Sequence, residues 1–600
     1  MLGLAYKPIS DYGIIGNMVS AALVARDGSV DWCCLPRFDS PSIFAAILDD
    51  QNGGSFGIEP GSPYESSQAY LDGTNVLQTV FHTRTGTVTV ADFMPCYQRD
   101  DGKYVQFDEI HRIAECTQGN VGLTVTFKPK PVYGTVDPWL IAVQHGVVVT
   151  GGGAPVSLSS PVSFEVLEDK ATATFKLQYG DMAAFVLRYG SDRPLRGAIS
   201  NSLNKLARTK AYWQQQADGC VFSGPYRDYL LRSYLALHLL VYLPTGAIVA
   251  APTTSLPEEI GGERNWDYRF TWLRDASLTL NAFSSLGHKE EAIGFMKWLL
   301  NVCERCGPKA QILYDIDFED PLDEQILNHL EGYRKSRPVR IGNAAYNQRQ
   351  LDIFGEVLEA AYNYVDIGGY ISSKDWVMLE TFVDAACQLW AEPDSGIWEV
   401  RGGPFHFVHS KVMCWVAIDR GIKLAQRLGR NGRLSLWQTT AGQIREDILN
   451  KGWNPEKECF TQHYDTDALD ASALLIPLFG FLPTSDKRVR STINHIVTEL
   501  NWNGLLRRYR TDKTEDGLKG SEGAFLWCSF WLVRNLIRLG ELEKAVELYK
   551  RLLGYGNHLG LLSEMVDPIS GETLGNFPQA LTHLAVIITG MELTEAIGEK

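Results

Sequence analysis

The feature that most constrains the fold is a change of hydrophobic pattern near residue 195. Before that point, short runs of alternating or β-branched residues recur, such as residues 76–83 and 87–93. After it, apolar residues return every three or four positions, which is the spacing that helices require. The chain therefore predicts a β-rich first part and a helical second part.

Turn signals in the first part predict hairpins. We expect Gly86 to supply the positive φ of a tight turn after residue 83, and Gly28 to do the same after Asp27. Many short strands joined by such turns are typical of an antiparallel β-sandwich.

The second part contains about twelve candidate helices. Residues 229–237 are apolar almost all round, which is typical of a buried inner helix, whereas residues 541–547 are amphipathic, which is typical of an outer helix. Helices of these two kinds indicate a double ring, the (α/α)6 barrel. The predicted fold class is multidomain β + α: a β-sandwich domain at 1–200, a linker helix at 201–222, and an (α/α)6 barrel domain at 223–600.

Composition excludes some classes of function. The net charge of −15, with no evident basic face, argues against a nucleic-acid or anionic-membrane partner and suits a neutral substrate. We find neither a signal-peptide pattern nor an uncharged apolar run of about 18 residues, and expect no membrane span. The eleven cysteines are scattered without regular spacing, which predicts reduced thiols and a cytoplasmic location.

Two segments combine carboxylates with tryptophans and arginines, and a third carries three carboxylates near the C-terminus. Aromatic faces stack on pyranose rings, Arg and Asp hydrogen-bond sugar hydroxyls, and two carboxyl groups can serve as acid and base. Such segments predict carbohydrate chemistry. They are residues 265–276 (NWDYRFTWLRDA), 396–401 (GIWEVR) and 561–577 (LLSEMVDPISGETLGNF).

In this order, the three segments resemble glycoside hydrolase family 15, the glucoamylases and related trehalases. Residues 272–276 resemble the family element W-x-R-D-A/S, and the segments around Glu399 and Glu564 resemble its acid and base elements. The resemblance covers the whole chain, since the β-rich part is similar to the sandwich of bacterial and archaeal members. It implies an inverting, exo-acting hydrolase that releases β-D-glucose from an α-glucoside. Glu399 would protonate the glycosidic oxygen and Glu564 would activate water, with their carboxyls roughly 6.5–9.5 Å apart.

The resemblance also implies a set of sugar-binding residues. Arg274 and Asp275 would hold hydroxyls of the glucose at the cleaved end, although a buried ion pair is the alternative for them. Asp352 matches a pocket position, with a role at a helix N-terminus as its alternative. Glu522 is a rival for the base, but we assign it to the pocket wall because its surroundings match the base element less well. The predicted substrate-binding residues are Trp272, Arg274, Asp275, Asp352, Trp398, Arg401, Arg508 and Glu522.

One departure from the family bears on the substrate. Fungal glucoamylases carry a second Glu directly after the acid, where this chain has Val400 followed by Arg401. This favours the trehalase branch, with Arg401 holding the second glucose of trehalose and glucoamylase as the alternative.

A catalytically silent carbohydrate-binding protein is the rival from another class. We expect no cofactor and no metal, since His406 and His409 are accompanied by no metal-binding motif. The sequence gives no expectation for the oligomeric state.

Overall fold

The computed structural model describes residues 6–99, 101–318 and 321–598, and its N-terminal part is built from antiparallel β-strands. In the described residues, the strands are β1 Tyr12–Gly16, β2 Ala21–Ala25, β3 Ser29–Cys34, β4 Ser42–Phe44, β5 Ser55–Pro60, β6 Tyr64–Tyr70, β7 Leu77–Thr83, β8 Gly86–Phe93, β9 Cys96–Gln98, β10 Tyr104–Gln106, β11 Glu109–Lys128, β12 Trp139–Val143, β13 Gly146–Thr150, β14 Val156–Ser159, β15 Glu165–Leu167, β16 Lys170–Gln178 and β17 Met182–Tyr189.

The long strand β11 joins the two layers of the sandwich. Its first half pairs with β8 and β17, and its second half pairs with β5 and β16. A register shift between Cys116 and Gln118 marks the point where the strand passes from one sheet to the other. The predicted antiparallel β-sandwich is confirmed.

Both predicted hairpins form, but one glycine has a different role from the expected one. Gly28 has φ +82° between β2 and β3, as predicted. Gly86 pairs with Thr83 at the start of β8, and it is not among the residues with positive φ, so that expectation was wrong. A Cβ at Gly86 would lie 2.2 Å from the carbonyl oxygen of Gln118, so the close approach of β11 explains the glycine.

Helices dominate the rest of the chain. Within the described residues they are α1 Ala198–Asp218, α2 Arg227–Leu240, α3 Ala276–Ser285, α4 Lys289–Cys306, α5 Asp352–Asp366, α6 Ser373–Leu389, α7 Val408–Arg427, α8 Leu434–Asp447, α9 Leu475–Leu478, α10 Lys487–Glu499, α11 Leu526–Arg538, α12 Leu542–Leu553 and α13 Ala580–Gly598. Helix α1 packs on β9 and β17 and leads from the sandwich to the helical part.

The helices α2–α13 form a double ring. Helices α3, α5, α7, α9, α11 and α13 pack each against the next, and α13 closes the inner ring against α3. Helices α2, α4, α6, α8 and α12 pack outside α13, α3, α5, α7 and α11, and α10 packs outside the 3-10 turn Ala471–Leu474 that precedes α9. This arrangement confirms the predicted (α/α)6 barrel.

Helix α2 occupies a different ring from the predicted one. Its apolar surface suggested an inner helix, but α2 packs outside α13 and is covered by the β-domain. The Asn75 amide donates to the carbonyl oxygen of Leu235 (2.9 Å), and Arg232 donates to that of Thr74 (3.0 Å). The sandwich therefore buries a helix that would otherwise face solvent.

In the described part of the chain, one helix, α13, is long and apolar enough to cross a membrane by length and composition alone. It contains Glu592 and Glu595, so it is not an uncharged apolar run of the kind considered from the sequence. In the structure 67% of its most apolar window is buried, and it packs against α2, α3, α11 and α12. These contacts are those of a core helix in the barrel.

Short two-residue strands lie in the loops between the helices, and several of these loops carry the predicted site residues. The pairs are Val241–Tyr242 with Ala247–Ile248, Thr271–Trp272 with Leu313–Tyr314, Gln325–Ile326 with Arg340–Ile341, Trp453–Asn454 with Cys459–Phe460, and Asn501–Trp502 with Leu505–Leu506; Ala524–Phe525, Met565–Val566 and Thr573–Leu574 form a three-stranded group.

Candidate active site

A cavity of about 780 Å³, measured with its open mouth, lies at one end of the barrel. Its walls come from the loops that lead into the inner helices α3, α5, α7, α11 and α13, so it sits at the N-terminal end of the inner ring. The volume is within the range of small-molecule sites. Indole rings, guanidinium groups and carboxylates line it, as sugar recognition requires.

Glu399 lies in this cavity on a strained turn. Its φ of +58° is in the left-handed region, which costs a residue with a side chain about 1–3 kcal/mol. The Gln348 amide donates to the carbonyl oxygens of Glu399 (3.1 Å) and Val400 (3.3 Å) and so holds the turn. Strain that is maintained by neighbouring groups indicates that the direction of this side chain matters.

Two donors fix the Glu399 carboxyl group. The Trp272 indole N–H donates to Oε1 over 2.7 Å, and Arg274 Nη1 lies 3.3 Å from the same oxygen. Arg274 also donates to the carbonyl oxygen of Ile397 (3.0 Å), so it ties the carboxyl group to the backbone of its own loop.

Glu564 is more deeply buried, with 1% of its surface exposed. The Tyr268 hydroxyl donates to Oε1 (2.5 Å), while Oε2 has no hydrogen-bond partner among the described residues. A Cβ at Gly575, where φ is +72°, would lie 2.6 Å from Oε2, so this glycine makes room for the carboxyl group. Burial raises the pKa of Glu564, and the negative charge of Glu258 raises it further.

A pair of aromatic rings connects the two glutamates. The rings of Tyr268 and Trp272 meet edge to face, 5.3 Å apart, and each donates to one of the carboxyl groups. The short segment 268–272 therefore holds the carboxyl groups of both Glu399 and Glu564 in the cavity. We gave Tyr268 no role from the sequence, although its place two residues after Trp266 in an extended segment could have indicated that both face the same side.

Arg274 and Asp275 also line the cavity, where Arg274 Nε lies 3.3 Å from Asp275 Oδ1. Burial raises the pKa of Asp275 to about 6, against the opposing effect of Arg274. The ion pair that was the alternative for these residues is present, and both side chains remain part of the cavity wall.

Arg508 holds a pair of carboxylates, only one of which faces the cavity. It donates to both oxygens of Glu522 (3.0 and 3.1 Å) and to Glu258 Oε2 (2.9 Å). Glu258 lines the cavity and also accepts from the Trp266 indole (3.1 Å), whereas Glu522 is not part of the lining. Glu522 was expected in the pocket wall. Arg508 forms the wall instead, and Glu522 lies behind it and binds its guanidinium group. Sequence reasoning missed Glu258, which stands in no recognised motif.

Trp398 forms the wall beside Arg508. Its indole N–H donates to both oxygens of Asp470 (2.9 Å each), and the Arg508 guanidinium lies 5.5 Å from its ring centre. Phe525 packs against the ring at 5.8 Å, so the orientation of Trp398 is fixed.

Asp352 lies at the N-terminus of α5, fully buried and outside the cavity lining. Neither of its carboxylate oxygens has a hydrogen-bond partner in the described chain, and burial together with Asp394 raises its pKa to about 7. The structure therefore does not bring Asp352 to the cavity surface with Arg274.

His406 and His409, the two histidines considered as metal ligands, pack against other parts of the protein. His409 is buried in α7, where burial lowers its pKa to about 3, and His406 stacks on Tyr464 with ring centres 5.8 Å apart. In the ranges that the structure describes, no cluster of three or more His, Cys, Asp or Glu side chains is placed to hold a metal ion.

Arg401 forms the wall on the other side of Glu399. Its guanidinium lies 4.3 Å from the centre of the Trp266 ring and binds both oxygens of Glu324 (3.2 and 2.6 Å). Arg340 lies 4.5 Å from the same ring and 3.1 Å from Glu324. These groups build a fixed, charged wall whose inner surface is an indole ring.

Two glycines lock the loop of Arg401 to a second loop. A Cβ at Gly402 would lie 2.1 Å from the carbonyl oxygen of Glu515, and one at Gly517 would lie 2.5 Å from the Arg401 backbone. The Arg401 N–H donates to the carbonyl oxygen of Asp516 (2.8 Å). We call residues 401–403 and 515–517 the interlocked loops.

Comparison with known proteins gives matches along nearly the whole chain. Residues 224–591 match the profile described as "Glycosyl hydrolases family 15", and residues 1–213 match "Trehalase-like, N-terminal". A trehalase of Thermoplasma volcanium is 39% identical over 599 residues, 99% of this chain and 94% of the relative. A trehalase of Mycolicibacterium smegmatis is 40% identical over 607 residues, 97% of this chain and 90% of the relative.

A solved structure shares the architecture. A bacterial glucoamylase complexed with acarbose superimposes with a TM-score of 0.74 and covers 98% of this chain and 95% of its own. Its sequence identity is 12%, so this likeness bears on the fold alone.

Proposed function

This chain belongs to glycoside hydrolase family 15, and we propose that it is an α,α-trehalase, an inverting enzyme that releases β-D-glucose. The observation that carries the choice of substrate is the wall formed by Arg401, Trp266 and Glu324 beside Glu399. A fixed wall on the leaving-group side suits a single sugar rather than a long chain. The trehalases that are 39–40% identical over nearly the full length support the same choice.

Glu399 is the proposed general acid. Its Oε1 accepts from Trp272 and Arg274, which leaves the other oxygen to carry the proton toward the glycosidic oxygen. Glu564 is the proposed general base, because its Oε2 makes no bond within the described protein and can accept from a water molecule. Water activated on one face while the leaving group is protonated on the other inverts the anomeric carbon.

The glucose at the cleaved end is bound between these two groups in the proposal. Arg274 and Arg508 offer forked donors to hydroxyls, and Asp275 accepts from them. Trp398, fixed by Asp470, provides an apolar face for the ring. Asp352 and Glu522 would act indirectly, through the charge near Arg274 and through the support of Arg508.

Hydrolysis of a substrate panel tests the function. We expect the highest kcat/KM for trehalose among trehalose, maltose, isomaltose and longer maltodextrins. NMR of the first glucose released from trehalose should show the β-anomer together with the α-anomer from the leaving sugar. Faster cleavage of maltodextrins would replace the proposal with a glucoamylase, and the absence of any turnover would favour a silent sugar-binding protein.

Arg401→Ala should raise KM for trehalose about tenfold while kcat for an aryl α-glucoside stays near its original value. The guanidinium is placed to hold the second glucose, and an aryl leaving group does not use it. Steady-state kinetics on both substrates measure the effect. The matched control is Arg427→Ala, which removes another exposed arginine paired with a carboxylate, Asp366, outside the cavity. Equal changes on both substrates would contradict the role.

Glu258→Gln should move the acidic limb of the kcat/KM profile to lower pH. Burial, then the charge of Glu258, raises the pKa of Glu564, so the base is lost to protonation at a higher pH than an ordinary carboxylate. A neutral amide removes the second cause and lowers that pKa. The pH profile for trehalose measures the shift. Glu259→Gln, whose carboxylate accepts from the Ser521 N–H outside the cavity lining, is the control and should leave the limb in place. An unmoved limb in Glu258→Gln would disprove the coupling.

A cytoplasmic location is part of the proposal. All eleven cysteines lie in the described ranges and are free thiols, as a reducing compartment maintains them.

A further inference from the structure

The segment that carries Tyr268 has two faces. It pairs antiparallel with the segment before it, through bonds from the Ala251 N–H to the Tyr268 carbonyl (2.9 Å) and from the Ser255 N–H to the Trp266 carbonyl (2.8 Å). Alternate residues of an extended chain point to opposite sides. Trp266 and Tyr268 therefore face the cavity, while Asp267 and Arg269 point away from it, and Arg269 reaches the β-domain.

Arg269 is inserted into the β-domain. Its Nη1 donates to the Tyr133 hydroxyl (2.8 Å) and to the carbonyl oxygen of Ser40 (3.0 Å). The other nitrogens bind both oxygens of Asp267 (2.9 and 2.6 Å). Arg269, Asp267 and Tyr133 are all buried, with exposures of 1%, 0% and 4%. These partners hold the Arg269 guanidinium in one position, because moving it away from them would leave its buried positive charge uncompensated.

The residue that precedes Arg269 in the chain holds the proposed base. Tyr268 makes the hydrogen bond to the Glu564 carboxyl group, and Glu564 Oε2 has no partner in the described protein. A shift of the backbone at Arg269 would move the Tyr268 hydroxyl and with it the carboxyl group. Misplacement of a reacting group by an ångström costs up to about a hundredfold in rate.

We propose that Arg269 and Tyr133 are positioning residues for the base, so that the β-domain sets the place of Tyr268 against Glu564. The proposal rests on the role of Glu564 in the proposed function. It gives the sandwich a part in positioning the base, in addition to covering α2.

Tyr133→Phe tests the proposal, because it removes a single hydroxyl group. We expect kcat for trehalose to fall about tenfold with KM unchanged. In a Tyr268→Phe background the same substitution should have no further effect on kcat, since its action passes through the Tyr268 hydroxyl. Independent, multiplicative losses or a wild-type kcat in Tyr133→Phe would overturn the proposal.

Tyr12→Phe is the matched control. The Tyr12 hydroxyl is equally buried in the β-domain and donates to a charged partner, Asp31 (2.9 Å). Among the described residues, the Asp31 carboxylate bonds Lys7, Tyr12 and Ser29 and none of residues 266–270. This variant should lose stability on thermal unfolding but keep kcat. A similar fall in kcat would show that any weakening of the sandwich slows turnover, and would overturn a specific role for Tyr133.

Two further measurements keep the test independent of folding and of the substrate. Arg269→Lys keeps the charge beside Asp267 but loses the fork that reaches Tyr133, and should reproduce the fall in kcat if Tyr133→Phe does not fold. A crystal structure of either variant should show the Tyr268 hydroxyl displaced from Glu564, and an undisturbed contact would overturn the proposal. An inactive wild-type protein would instead count against the proposed function. The crystal structures of the variants test the Tyr268–Glu564 contact whether or not the protein hydrolyses trehalose.

Discussion

Replacing Glu399 by Gln is expected to lower kcat for trehalose roughly a hundredfold to ten-thousandfold. The amide is nearly isosteric and its oxygen can still accept from the Trp272 indole, so the geometry is retained. It cannot give a proton to the glycosidic oxygen, and a glucose leaves slowly as an alkoxide. Steady-state kinetics on trehalose measure the loss.

Leaving groups distinguish this role from a general loss of structure. Fluoride leaves α-glucosyl fluoride without a proton from the enzyme, so Glu399→Gln should keep much of its activity on that substrate. Glu392→Gln, an exposed carboxylate in the same loop region, is the control and should be unaffected. Equal losses on trehalose and on the fluoride would remove Glu399 from the acid role.

Glu564→Gln should lower kcat by a similar factor, but for trehalose and α-glucosyl fluoride alike. Attack by water needs a base whatever group departs, and the amide cannot take the proton. Azide needs no deprotonation, so adding it should restore turnover of the fluoride and give β-glucosyl azide. Product analysis by NMR measures both the rescue and the anomer.

The control for this variant lies in the same segment. Glu572 pairs with Arg334 away from the cavity lining, and Glu572→Gln should keep normal turnover. Normal hydrolysis of the fluoride by Glu564→Gln would exclude Glu564 as the base and favour Glu258, a neighbouring carboxylate that also lines the cavity.

The architecture could be predicted from the sequence because each helix and hairpin has a local signal. The apolar spacing after residue 195 predicted about twelve helices, and α2–α13 form the double ring in the described residues. The ring of α2 could not be predicted, since an apolar surface shows that a helix is covered and not what covers it. The role expected for Gly86 was wrong for a similar reason. A glycine can be required by a positive φ or by a close neighbour, and here the neighbour is β11, which lies further along the chain.

The candidate site divides in the same way. Glu399, Glu564, Arg274 and Asp275 stand in local motifs, and the structure brings all four to one cavity. Glu258 faces that cavity without a motif, because its place depends on pairing with an arginine 250 positions later. Long-range pairings of this kind have no signature in the neighbouring residues. Asp352 shows the converse. Its position in the sequence matches a pocket position of the family, but its side chain is buried behind the cavity wall.

The interlocked loops have a consequence for how this protein can diverge. Gly402 and Gly517 each lie against the backbone of the opposite loop, with no room for a Cβ atom. Neither position therefore tolerates a side chain while the other loop stays in place. Insertions or deletions on one side would have to be matched on the other, more than a hundred residues away. Lineages that change the size of the accepted leaving group should therefore alter both loops together, and a graft of one loop alone from a relative would meet the unchanged backbone of its neighbour.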